Sequence, residues 1–220
     1  MSAIEISVFC ADIGRIDPKE SRNRFGWAGR RAGVVDETPP RGHYPAELAE
    51  AVVAELGKGS KVALGFECPT FVPVDTDHFM LTKARKGEGN RPWSAGAGAA
   101  SLAAGLSEIA WTLQRIKELM LLKNWRAPEI YLDPQEFHEA AKGLLLWEAF
   151  VTNKPAPTDH TDDATAAVNA FCAAWPGLAQ ADVFAAEDRT VFSVTGAAIL
   201  HAGFTDDVGL LWKKCVGIRA

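Results

Sequence analysis

His160-Thr161-Asp162-Asp163-Ala164-Thr165-Ala166-Ala167-Val168-Asn169-Ala170-Phe171 reads as the opening of a helix. Thr161 is a candidate cap, two carboxylates fill the first turn, and small apolar residues follow. Taken alone, Asp162 and Asp163 need only complement the helix dipole. Two earlier stretches add to this. Ile4-Glu5-Ile6-Ser7-Val8-Phe9-Cys10-Ala11 runs into Asp12, and Val62-Ala63-Leu64-Gly65-Phe66 runs into Glu67. Both read as strands. Carboxylates far apart in sequence that fall at element ends are what an α/β fold needs to hold divalent metal at the carboxyl edge of its sheet.

The segments between them supply the layout. Phe25-Gly26-Trp27-Ala28-Gly29-Arg30 and Ala32-Gly33-Val34-Val35-Asp36 read as two further strands of an antiparallel meander. Tyr44-Pro45 opens a helix with Leu48, Val52 and Leu56 on one face, and Gly57 and Gly59 stop it. The strand before Glu67 then returns parallel to its neighbour, so Asp12 and Glu67 share an edge. Residues 69–96 are long for a plain connection and are suspect as a functional loop. A helix over residues 99–123 carries the stripe Leu102, Leu106, Ile109, Leu113, Ile116 and Met120. A short strand at 129–132 and a helical turn at 137–141 precede a strong strand at 144–151, apolar except for Glu148. A carboxylate there is costly unless it is paired with a neighbouring Arg or binds metal. Residues 152–159 read as a loop. In the tail at 175–220, a strand is expected at 191–194 and a short helix at 196–203.

Asp12 on a first strand, Glu67 ending a later one, and an acidic pair opening a late Ala-rich helix together resemble the RNase H-like superfamily. The His160-x-Asp162-Asp163-Ala164 pattern is most similar to RuvC-type Holliday-junction resolvases. The resemblance lies in order and spacing over residues 4–171, without a long run of identities. It implies an α/β fold with an RNase H-like mixed five-stranded sheet and helices on both faces. A single domain over 1–220 is expected, with a core at about 4–174 and an extension at 175–220. It also implies two Mg2+ or Mn2+ ions and metal-dependent hydrolysis of phosphodiester bonds in nucleic acid, DNA or RNA, and is compatible with a homodimer. Asp12, Glu67 and Asp163 would be catalytic ligands, with Asp12 bridging the metals. Asp162 is a further ligand candidate, and His160 and Glu148 are candidates for outer positions. The departure is the lack of an obvious fourth inner carboxylate.

The same core occurs in actin-like and sugar-kinase ATPases, and Asp12-Ile13-Gly14 resembles the start of their first phosphate loop, Asp-x-Gly-x-Thr/Ser. Ile16 stands where the hydroxyl belongs, and no second such loop follows. A phosphotransferase and a non-catalytic RNase H-like interaction module therefore remain as alternatives to the nuclease.

Composition narrows the classes. The 220 residues suffice for a sizeable core, and the formal charge of −5 argues against a general nucleic-acid coat protein. A local basic patch is still available. Arg15, Lys19, Arg22, Arg24, Arg30, Arg31 and Arg41 face only Asp17, Glu20, Asp36 and Glu37 in the same stretch. Arg15, Arg22, Arg24, Lys86 and Arg91 are the candidate phosphate-binding residues, and Trp93 is a candidate stacking platform. No apolar run reaches the length of a membrane span. The four scattered cysteines read as reduced thiols of a cytoplasmic protein.

Overall fold

The computed structural model describes residues 5–19, 22–34, 39–151 and 159–220. Strand β1 (Ser7–Asp12) is buried along its whole length, as its apolar run requires of a central strand. It pairs antiparallel with β2 (Gly26–Arg30), which pairs antiparallel with β3 (Arg41–Gly42). The third strand of the meander thus lies later than the expected 32–36. Gly33 takes a left-handed φ of 70° in a turn there, which breaks the extended run. The start of the first strand at Ile4, the end of the 32–36 stretch and the loop at 152–158 fall outside the described residues.

Helix α1 (Pro45–Leu56) begins on the proline that sequence singled out. It leads to β4 (Lys61–Glu67), which lies parallel to β1 with Asp12 directly opposite Glu67. The long connection that follows is not structureless, since β5 (Phe71–Val74) pairs antiparallel with β8 (Thr190–Ser193) as a separate small sheet. Then come α2 (Gly96–Leu122), β6 (Ile130–Tyr131), α3 (Pro134–Glu139), β7 (Gly143–Phe150), α4 (His160–Ala174), α5 (Leu178–Ala181), α6 (Val194–His201) and β9 (Val216–Arg219).

The main sheet is mixed and seven-stranded rather than five-stranded, in the order β3-β2-β1-β4-β7 with two strands beyond β7. β7 is long enough to have two short partners on its outer side. β6 runs parallel beside Leu144 and Leu145, and β9 runs parallel beside the stretch from Trp147 to Phe150. The segment expected as an extension therefore completes the sheet.

Strand alternation divides the core. Phe9, Ala11, Leu64, Phe66, Leu144 and Leu146 face α1, α2 and α6, whereas Val8, Cys10, Ala63, Leu145 and Trp147 face α4. Each large apolar side chain so buried contributes about 1.5–3 kcal/mol relative to exposure. One expected core residue lies outside: Leu106 is 57% exposed. Helix α2 instead turns Gly105, Glu108, Ile109 and Thr112 inward, and a Cβ on Gly105 would stand 2.7 Å from Cys68 Sγ. That close approach centres the buried face one position away from Leu106. All four cysteines are free, and no described helix is long and apolar enough to cross a membrane.

Candidate metal centre

The alternation that sorts the core also aims the carboxylates. Asp12 and Glu67 continue the rows containing Cys10 and Ala63, so both point to the α4 side of the sheet's carboxyl end. Helix α4 is capped by Asp159, two residues before the cap expected at Thr161, and its Oδ1 accepts the Thr161 N–H at 2.9 Å. Its first turn lies against β2 at Gly26, the residue paired with Asp12. A Cβ there would stand 2.5 Å from the His160 carbonyl carbon and from the Thr161 nitrogen. Glycine at this point lets the helix start reach the strand ends.

Asp163 is thereby brought to the pair. One oxygen each from Asp12, Glu67 and Asp163 lies within 4.8 Å of the others, a group that could hold a metal ion. Asp162 is not part of it. Neighbouring helix residues project about 100° apart, and Asp162 is 56% exposed with Oδ1 3.8 Å from Arg41. His160 Nδ1 lies 2.5 Å from Asp12 Oδ2, so the histidine faces the centre through Asp12.

Charge and burial act against each other here. Burial raises the Asp12 pKa and the Asp163 charge adds to the rise, while the hydrogen bond and charge of His160 oppose it. The hydrogen bond with Asp12 raises the His160 pKa above its ordinary value, although burial and the Arg24 charge oppose that. Crowded carboxylates in a partly dry site are relieved by protons or by a cation.

Glu148 stands apart. Alternation along β7 turns it to the α2 side, away from Asp163, and it is 1% exposed. Arg85 donates to both of its oxygens, at 2.9 and 2.6 Å, and the Thr70 backbone and hydroxyl donate to Oε2. The guanidinium also donates to Glu88 and lies between the rings of Phe71 and Phe184, 4.5 and 4.2 Å from their centroids. The pairing with an arginine that sequence weighed for Glu148 is the one observed.

A residue that sequence reasoning did not select is Glu108, on α2. It is 7% exposed, and its Oε2 has no hydrogen-bond partner among the described residues. Burial pushes its pKa up to about 7, against a backbone hydrogen bond from Gly14 and with the Asp12 charge adding to the rise. Its signal was hidden inside an amphipathic stripe, where a lone Glu reads as a solvent-facing residue.

A cavity of about 780 Å3 opens over the carboxyl edge. Asp12 and Glu67 lie in its lining, with Arg15, Arg91 and Trp93 around it. Arg15 is paired with Asp17 at 2.7 Å, and its carbonyl accepts the Arg24 N–H at 2.7 Å. Arg22 and Arg24 are exposed on that same hairpin end. Lys86 does not line the cavity, and its backbone N–H donates to Glu187.

Comparison with protein-family models, curated proteins and solved structures finds no match to this chain. The three-carboxylate arrangement therefore stands on its own geometry.

Proposed function

We propose that the protein is a metal-dependent nuclease with an RNase H-like core, hydrolysing phosphodiester bonds at the Asp12, Glu67 and Asp163 centre. The observation that carries this is the convergence of three carboxylates from β1, β4 and α4 within 4.8 Å. Oxygen-only ligand sets of this kind suit Mg2+ or Mn2+, which keep several waters and bind the substrate phosphate. A cation there would polarise the phosphoryl oxygen and supply a nucleophilic water. Asp12 would be one of the residues holding the cation while His160 contacts its Oδ2, so a bound cation would disfavour the proton that joins that pair. Arg15 and Arg24 flank the edge where a phosphate backbone would lie.

The test is a melting experiment followed by an activity assay. Mn2+ at a hundredfold excess over its Kd should stabilise the wild type by about 2.7 kcal/mol through mass action. Asp12→Asn should abolish that stabilisation and any Mn2+-dependent cleavage of oligonucleotides. A melting temperature indifferent to millimolar Mn2+ would remove the metal centre and the nuclease reading with it.

One observation favours a second reading. The contact between His160 and Asp12 satisfies one ligand oxygen without metal, as a non-catalytic module would. Wild-type protein that binds Mn2+ yet cleaves neither DNA nor RNA would favour that module.

A further inference from the structure

The 85–94 segment lies within the long connection at 69–96 flagged in sequence as a functional loop, and it is held by hydrogen bonds along its length. Glu88 Oε2 accepts the backbone N–H groups of Arg85 and Trp93, at 2.7 and 3.1 Å. The Arg85 side chain is locked onto Glu148 in the sheet. Trp93 Nε1 donates to the Lys83 carbonyl at 3.1 Å, and Ser94 Oγ donates to the Thr82 carbonyl at 2.7 Å. The indole is thus held by its polar edge, and Trp93 is among the residues lining the cavity.

Ala97, Ala100, Ser101 and Ala104 of α2 also line the cavity, and their side chains are small. Arg15, Arg91, Asp12 and Glu67 stand in the same lining. The volume of about 780 Å3 falls in the range of a single-ligand pocket and so suits one nucleotide rather than a stretch of duplex.

We propose that this cavity is the seat of one unpaired nucleotide next to the scissile phosphate. The substrate is then a single strand or a single-stranded end of DNA or RNA rather than continuous duplex. The base stacks on Trp93, and Arg91 pairs with the adjoining phosphate. The inference rests on the metal-centre reading and narrows its substrate class.

The test compares a fluorescein-labelled oligothymidylate with a blunt duplex of equal length, in Ca2+ to limit turnover, by fluorescence anisotropy. The single strand should bind at least about tenfold tighter than the duplex. Trp93→Ala should weaken the single strand by about tenfold, within the range for loss of one stacked base, and leave the duplex unchanged. Trp93→Phe should retain most of the binding. Arg91→Glu, at an exposed position, should also weaken the single strand without lowering the melting temperature. An oligothymidylate carrying one 2-aminopurine should lose fluorescence on binding the wild type and keep it with Trp93→Ala, which a merely structural tryptophan would not produce. An oligouridylate arm tells a ribose strand from a deoxyribose one.

Equal binding of duplex and single strand, or wild-type binding by Trp93→Ala, overturns the subsite while the Mn2+ melting shift still stands. Loss of the Mn2+ shift itself overturns the metal centre, and the two failures are read in separate experiments.

Discussion

Asp12 and Glu108 are both buried acids at the end of β1, one turned to the α4 side of the sheet and the other reaching it from α2. Glu108 has the clearer consequence for stability. Its folded pKa of about 7 lies above the ordinary 4.5, so the bound proton stabilises the fold. That contribution is complete below pH 4.5 and is lost as pH rises through about 7. Glu108→Gln keeps an acceptor for the Gly14 N–H and removes the titration. Between about pH 5 and about pH 8 the wild type should therefore lose on the order of 1–3 kcal/mol relative to Glu108→Gln. Urea unfolding of both proteins at the two pH values measures this, and parallel pH profiles would rule it out. At this scale the sequence was readable where a residue ends an element. Asp12, Glu67 and Asp163 each follow or open an apolar run, which fixes both edge and direction. Glu108 lies inside a helix whose inward face is set by the contact of Gly105 with Cys68, a tertiary fact with no local signature.

The element that shapes the cavity is the connection between β5 and α2, and one buried arginine holds it. Removing Arg85 would leave Glu88 and Glu148 charged and unpaired in a site where both side chains are 1% exposed. Arg85→Met should therefore destabilise the protein by about 3–5 kcal/mol. Adding Glu88→Gln and Glu148→Gln should recover part of that, because the orphaned charges go with the arginine. Chemical denaturation of the single and triple variants measures both effects, and a single variant as stable as wild type would show the network to be dispensable. Strong elements such as α1, α2, β4 and β7 were legible from periodicity and flanking breakers. β5 was not, because its partner β8 lies more than a hundred residues away and its four residues carry a proline. β3 was misplaced for a related reason: two residues hold too little pattern to mark a strand.

Across the whole molecule, the sheet order could be argued from strand, helix and strand polarity as far as β4. The two partners beyond β7 could not, since a short parallel edge strand such as β9 is chosen by the length of its neighbour and not by its own pattern. The candidate metal centre joins positions 12, 67 and 163, so its outermost members are about 150 residues apart along the chain. An ion held there would act as a reversible cross-link. A covalent one closing about 100 residues is worth about 4.7 kcal/mol in the loop-entropy account. The three segments meet only when β1, β4 and α4 are docked, so the staple can form only after those elements have assembled. Mn2+ should accordingly slow unfolding with little effect on the refolding rate. Stopped-flow measurements on the wild type and Asp12→Asn would show it, and an equal acceleration of refolding would place the centre in the folding nucleus instead. The lifetime of the native state would then follow the supply of divalent cation, and a chelator would shorten it without touching a single covalent bond.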